Sequence, residues 1–469
     1  MLLVLNTIHL VLWGRADALT AVMVGLHLLL GVPVGLALVA FGWAHFAGAR
    51  DFPNLLRRRT GLAGVALLSV CVASGGALVF TGAFGPGRAL LVVHFGTGAA
   101  GLGALLLHLA VRLRRDTAPR WPRAWRALAG VVVVALVLGA GGEVWRGRES
   151  PPEGEAESFF PTGATTAAGA FIPAEEIMSS ASCGAGGCHE DIYEQWSSSQ
   201  HHYGSFSNPL YRRNVQYVGE RLQDVASNFC GGCHDPAPTF SGQMSAFLEP
   251  EGSLADAGVS CVGCHSIVET EVIGNGSYVI ERPRLYPFAF SADPRLLALN
   301  RFLIRVKPGP HRRAFLKDLH RDRSEFCAAC HKVHVPKAVN QFRWVRGFDE
   351  YDAWQQSGWS GEAAASFYDA EEPKTCQGCH MEETPSDDPV ERFLTDPEDP
   401  KVTVDVFAAG RGRRFGQADE RSGEADAARA TAMVAPLGRA DFSATPGGWL
   451  RLDVVVRNRG VGHNFPAGT

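Results

Sequence analysis

Acidic residues are scarce at the start of this 469-residue chain: residues 1–126 hold three Asp/Glu against twelve Lys/Arg, leaving 32 basic and 45 acidic residues over the rest. The formal net charge of −4 hides that split, and the acidic remainder offers no footing for nucleic acid. A basic run and a small-residue cleavage site are also missing around residues 1–13, which argues against a cleaved signal peptide. Between residues 183 and 395 the regular apolar periodicity of a conventional core is weak. Cysteine and histidine, by contrast, are abundant, at 11 and 16, and they recur together.

Four times two cysteines are closed by a histidine as Cys-x-x-Cys-His. The copies are Cys230, Cys233 and His234; Cys261, Cys264 and His265; Cys327, Cys330 and His331; and Cys376, Cys379 and His380. A fifth copy is stretched, with Gly-Ala-Gly-Gly between Cys183 and Cys188 before His189. This is the attachment signature of c-type haem, in which both thiols bond to the porphyrin edge and the imidazole takes the iron as proximal ligand. Zinc sites also use paired cysteines, but zinc does not require a histidine after every second one. Disulfides in an exported region would leave the histidines unexplained. In the stretched copy the glycines let the backbone loop out while both thiols still face one porphyrin. Five covalent c haems are therefore expected.

Apolar runs lie at roughly 1–13, 18–46, 61–80, 88–111 and 127–142. At about 1.5 Å per residue, runs of 20 or more cross a hydrocarbon core of about 30 Å. The second, third and fourth qualify, the fifth is marginal, and the first is too short, as a late start, a partial span or a deletion would leave it. An all-α transmembrane bundle of four to five helices over residues 1–142 is the expectation. Arg50, Arg57, Arg58 and Arg59, with Arg112, Arg114, Arg115, Arg120, Arg123 and Arg126, crowd one side, while Arg15 and Arg88 stand on the other. The crowded loops belong in the cytoplasm. The cysteine-rich region then lies outside it, on the periplasmic side of a bacterial inner membrane.

Ionisable residues at membrane depth carry function by default. His27 and His45 are 18 residues apart on the second run, and His94 and His108 are 14 apart on the fourth. At about 100° per residue, 18 steps return to one face and 14 fall about 40° short of it. Antiparallel spans place His27 beside His94 toward the outer surface, and His45 beside His108 toward the cytoplasm. Two stacked bis-histidine b haems would use all four; hydrogen bonds to helix carbonyls are the ordinary alternative. Gly96, Gly98, Gly101 and Gly103 leave room for a flat macrocycle and for close helix approach. His9 is open between a substitute ligand, a quinone contact and a buried polar group, Cys71 reads as a packing residue, and Pro33 should kink its span. These histidine pairs resemble those of di-haem cytochrome b subunits, including b561-like bundles, over about 100 residues.

Residues 143–182 read as a flexible linker rich in Pro, Gly and small polar residues. From Ser182 the chain resembles the cytochrome c554 family of multihaem proteins. The residues that carry the resemblance are Cys183…Cys188-His189, Ile192-Tyr193-Glu194-Gln195-Trp196, Ser199-Gln200-His201, Gly309-Pro310-His311, Ser324 to His331, and Gly462-His463-Asn464-Phe465-Pro466-Ala467-Gly468. It spans about 180–385 and 461–468, and it departs from the family at the stretched first site. It implies a mostly helical and irregular pentahaem domain over 183–395, in which bis-histidine irons each take a second imidazole. His201 and His311 are the distal ligands the resemblance favours, and His320, His334 and His463 follow from supply. His202 is the surplus, because adjacent side chains rarely face one site. Met178, Met244 and Met381 are weaker alternatives. Val402–Phe407 and Leu450–Val456 alternate as strands, so 396–469 is expected to open a small β module that continues beyond Thr469.

The leading functional expectation is a membrane-anchored multihaem cytochrome, in contact with lipid, moving electrons between the quinone pool and an extracytoplasmic redox partner. The alternative is a reductase or oxidase of a small nitrogen or sulfur compound at a five-coordinate haem. A filament-forming cytochrome is disfavoured by the membrane anchor.

Overall fold

The computed structural model of the chain describes residues 2–49, 54–113, 159, 161–185, 188–203, 205–291, 293–363, 372–381, 389–411, 433–439, 441–444 and 446–466. The fifth apolar run at 127–142, the arginines from Arg114 to Arg126, and residues 143–158 of the expected linker lie outside them.

Helices α1 (Leu2–Leu12), α2 (Ala18–Gly48), α3 (Leu55–Thr81) and α4 (Gly87–Leu113) open the chain. Asp17 caps α2 by accepting the Thr20 N–H at 2.7 Å, and Asn54 caps α3 by accepting that of Arg57 at 3.1 Å. Gly82 ends α3 at φ 75°, a conformation open to glycine without strain, and donates its N–H to Leu78 O. Pro33 sits inside α2, where its ring deletes one rung of the helical ladder. Three helices are long and apolar enough to cross a membrane, Ala18–Gly48, Leu55–Thr81 and Gly87–Val111; α1 is not.

Helix α3 packs against both α2 and α4. A Cβ on Gly42 would lie 2.5 Å from Val65, and one on Gly64 would lie 2.7 Å from Leu105, so glycine sets both seams. Gly98 faces Cys71 and Gly101 faces Leu67 and Leu68 in the same manner, whereas Gly96 and Gly103 border open space. Among the described residues no comparable seam joins α2 to α4.

The chain divides into two compact units: residues 1–269 with 278–320, and residues 270–277 with 321–469. The expected single domain over 183–395 is thus split after His320. In the first unit part of the expected linker is folded. Strand β1 (Thr165–Thr166) runs parallel to β3 (Tyr278–Ile280), which also joins β2 (Ile267–Thr270), and Phe159, Ala164, Ile172 and Ile177 are buried. The reason is spatial. Phe159 packs edge-on against Phe240, Thr162 lies so near Gly232 that a Cβ there would clash, and Tyr278 donates to Gly232 O at 2.6 Å. This stretch is the wall behind the Cys230–His234 site, a role its small, turn-rich composition conceals.

The first unit also joins the bundle to the cysteine-bearing region. Ala16, Val24, Tyr286 and Leu303 form one buried cluster, with Leu10, Ala21, Leu28, Ile304 and Val306 around it. Ala83, in the turn between α3 and α4, donates its N–H to Arg305 O at 2.7 Å. All these contacts fall at the end of the bundle that carries Arg15 and Arg88, opposite Arg57, Arg58 and Arg59.

In the second unit β4 (Lys332–Val335) and β5 (Val345–Asp349) pair antiparallel. The C-terminal module is an antiparallel sheet ordered β7 (Met433–Val434), β6 (Val402–Arg411), β8 (Leu450–Asn458). Its strands extend a few residues beyond the two expected ones. After β8, the Asn458 side chain accepts from the N–H groups of Gly460 and Val461 and donates to His463 O, shaping the turn that carries His463.

Candidate functional site

Helical phase brings the bundle histidines together in two pairs. The rings of His27 and His94 lie 6.2 Å apart, and those of His45 and His108 lie 6.4 Å apart, each pair nearly perpendicular. An imidazole nitrogen binds a metal at about 2 Å with its ring centre about 1 Å behind, so two imidazoles across one ion have centroids about 6 Å apart. Both pairs meet that spacing. Their Nδ1 atoms are engaged elsewhere: His94 donates to Cys71 O at 2.9 Å, His108 to Arg57 O at 2.8 Å, and His27 to Asn6 Oδ1 at 3.1 Å. Such bonds fix the tautomer and leave Nε2 for a ligand. The carbonyl-bonded alternative is therefore realised at Nδ1 only, and it orients the rings rather than competing for Nε2.

Two glycines of α3 shape these sites without having stood out in the sequence. A Cβ on Gly75 would sit 2.8 Å from the His94 ring, and one on Gly61 would sit 2.9 Å from that of His108. Asn6 is another such residue; its amide donates to Met23 O at 2.9 Å, which aims its carbonyl oxygen at His27. His9 stacks on Trp13, with ring centroids 5.4 Å apart. No helical period announces Asn6, Gly61 or Gly75 as partners, since each comes from a neighbouring helix.

The attachment motifs are single helical turns at Cys261–His265 and Cys376–His380 and end a longer helix at Asn228–His234. In these three the second thiols, Cys233, Cys264 and Cys379, follow the first ones, Cys230, Cys261 and Cys376, by three residues of helix. That interval places both thiols on one helical face, as bonding to a single porphyrin edge requires. All six cysteines are half-buried, so Cys233, Cys264 and Cys379 stand where the sequence expected attachment residues. At the site of Cys327 and Cys330 the His331 N–H donates to Cys327 O at 2.8 Å. At the stretched site the His189 N–H likewise donates to Cys183 O, at 3.1 Å. This site differs in that Cys188 is exposed. Gly184 makes the tight packing possible, because a Cβ there would meet Tyr193 at 2.5 Å.

The distal candidates divide. His380 and His463 stack 6.1 Å apart, and His463 Nδ1 donates to Asn464 O at 2.9 Å, which satisfies the same metal spacing and tautomer. His201 faces His234 closely enough for its pKa to be lowered, first by burial and then by that ring. Burial, then His189 and His265, push His311 down to about 4, holding it neutral as a ligand must be. His265 Nδ1 donates to Phe315 O at 2.8 Å. His320 lies edge-on to His265 at 5.0 Å, about 1 Å inside the two-imidazole spacing. The His334 ring packs on Trp344, and its backbone N–H is held by Asn275. His202 packs between Trp196 and Tyr203. Among the described residues no group of three or more His, Cys, Asp or Glu is arranged to hold a bare metal ion.

A repeat appears here that the motifs alone do not reveal. The Cys183 thiol meets that of Cys261, and the Cys327 thiol meets that of Cys376. In each pair a serine three residues before the earlier cysteine accepts the backbone N–H of the later one: Ser180 from Cys261 and Ser324 from Cys376, both at 3.0 Å. In each the residue before the later cysteine also caps its turn, Ser260 taking the Gly263 N–H and Thr375 that of Gly378. Ser-x-x-Cys at the earlier site and Ser/Thr-Cys at the later one were visible as signals, but they gain meaning only once the pairing is known. Porphyrins bonded to these thiols would be neighbours.

Residues 182–266 match the family described as cytochrome c554 and c-prime. That stretch holds the sites of His189, His234 and His265, and the match implies covalently bound c-type haem there. The sites of Cys327, Cys330 and His331 and of Cys376, Cys379 and His380 lie beyond it. The resemblance expected over 180–385 and 461–468 is thereby found for its first part. No curated protein and no solved structure matches the chain. The match suggests a c-type cytochrome segment in electron transfer, and the apolar helices before it make membrane anchoring plausible.

Proposed function

We propose that this chain is a membrane-anchored multihaem cytochrome that relays electrons between the quinone pool and an extracytoplasmic redox partner, through two b haems in the bundle and five c haems outside it. The observation that carries the reading is the convergence of His27 with His94 and of His45 with His108 at metal spacing, with Nδ1 already satisfied in three of the four. A haem held between two imidazoles exchanges single electrons and leaves no iron face for substrate.

The chain's own groups then set the route. Arg57, Arg58 and Arg59 hold one end of the bundle at the cytoplasmic surface, and the cysteine-bearing region is attached to the other end. Backbone carbonyls orient His94, His108 and His265, and burial keeps His201 and His311 neutral. The paired sites of Cys183 with Cys261 and of Cys327 with Cys376 bring porphyrin edges together, as transfer between them requires.

The test is pyridine haemochrome quantitation of the purified chain, combined with reduction by a quinol in membranes. Two b and five c haems per polypeptide are expected, with c-haem reduction by quinol lost in His27→Ala or His94→Ala while dithionite still reduces them. Absence of b haem, or unchanged quinol reduction in these variants, overturns the reading. A Soret shift on adding nitrite would instead favour catalysis at a five-coordinate iron.

A further inference from the structure

Residues 307–315 touch the bundle with one set of atoms and the attachment sites with another. Lys307 extends its ammonium to the end of α1, donating to Leu10 O and to Trp13 O, the latter at 2.9 Å. Carbonyls at a helix C-terminus lack partners within the helix and carry its negative dipole end, so a cation caps them well. Arg313 donates to Gly14 O at 2.5 Å. Tyr286, from the buried cluster beneath, donates to Lys307 O at 3.1 Å. Pro308 and Pro310 restrict the backbone between the two cations, and Pro310 is buried.

The other face of the segment meets the exported sites. Phe315 O takes the Nδ1–H of His265, and Lys317 just beyond it donates to His265 O and Ala314 O at 2.6 Å each. His311 stands within electrostatic reach of both His189 and His265. Helix α1 completes the connection inward. Its end is held by Lys307, while its Asn6 holds His27, about 14 Å along α2 from Ala18. A continuous set of contacts therefore runs from the His27 imidazole through α1 to Lys307 and on to His265.

We propose that residues 307–315 are a fixed junction, in which Lys307 and Arg313 are positioning residues that set the distance from the His27/His94 site to the sites of His189 and His265. This rests on the reading of the bundle as a haem-bearing relay. With haems at these sites, a membrane quinol would give up two protons and two electrons, one at a time, and each electron would pass from the group held by His27 and His94 to the one at His265 or His189, with no atom or proton moving between the sites. The exported region is held to the bundle rather than swinging from a tether.

The experiment uses the full chain in nanodiscs, as wild type, Lys307→Met, Arg313→Met, the double variant and Lys307→Arg. Three quantities are read: b and c haem content, hydrogen exchange of residues 286–315, and stopped-flow reduction of b and c haems by a quinol. Expected for the Met variants are unchanged haem content, unchanged b-haem reduction, lost amide protection over 286–315, and c-haem reduction slowed about 10-fold or more, the sensitivity of a step set by distance and orientation. Lys307→Arg, which keeps the charge and the donors, restores protection and rate. Unchanged protection, or lost protection with an unchanged c-haem rate, overturns the junction while leaving the relay intact. A wild type whose b sites quinol does not reduce overturns the relay itself, and the junction with it.

Discussion

The bundle histidines and those of the cysteine-bearing region meet similar distance requirements by different means. In the bundle each pair joins two long helices, and the rings face one another because 14 and 18 residues nearly complete whole turns. Outside it, His463 reaches His380 only after a β-strand and an Asn458-braced turn, and His311 reaches His189 and His265 from a seven-residue helix. Regular secondary structure makes long-range pairing computable from residue numbers. Loops do not, because one altered turn redirects everything beyond it.

The sharpest way to break this comparison is to remove one ligand on each side. His94→Ala should lower b haem from two to one per chain and leave the c count at five, whereas Cys327→Ser with Cys330→Ser should lower c haem from five to four and leave the b count unchanged. Pyridine haemochrome spectra separate the two, and cross-effects would show that the regions are not independent. A subtler probe crowds the rings: Gly75→Val should eject the haem at His27/His94, and Gly61→Val the one at His45/His108, because a Cβ at either position meets the imidazole. Redox titration of the remaining b haem identifies which was lost, and retention of both would contradict the packing.

The repeated pairing of attachment sites yields a smaller effect in each unit. Ser180→Ala and Ser324→Ala each remove the acceptor for a backbone N–H, at Cys261 and Cys376, a loss of about 1–3 kcal/mol where the group is left unsatisfied. Comparable drops in denaturant midpoint are expected, and a drop in only one variant would mean that the two pairings are not equivalent.

The smallest effect is a slope with pH. Burial first, then Arg313, bring Lys307 down to about 8 from the usual 10.5. The unfolded chain therefore binds more protons between about pH 8 and 10.5, so stability rises across that window and is flat below it. Thermal melts at about pH 7 and pH 9.5 should show the wild type gaining on Lys307→Met at the higher pH; a gain by the variant would reverse the sign.

The five Cys–His closures were legible because attachment chemistry is local: thiols and imidazole lie within seven residues even at the stretched site. The three long spans, the bundle pairs and the two late strands were legible because apolar length and periodicity report them directly. Asn6, Gly61, Gly75, Ser180, Ser324 and Lys307 were not. Each acts on a partner brought near by packing, and neither a glycine's missing Cβ nor a serine's single acceptor has a period. The folded stretch over 161–182 of the expected linker was not legible for the same reason, since small residues that wall a site read like those of a tether.

Residue order alone therefore determines where the Cys–His closures stand, which runs can cross a membrane and which imidazoles share a helical face, all consequences of covalent spacing and helical geometry. Tertiary packing alone determines that the Cys183 and Cys261 sites meet, that His463 returns to His380, and that Lys307 reaches the end of α1 while Phe315 and Lys317 meet His265. These depend on surfaces closing over one another, and separation along the chain does not encode which surfaces meet.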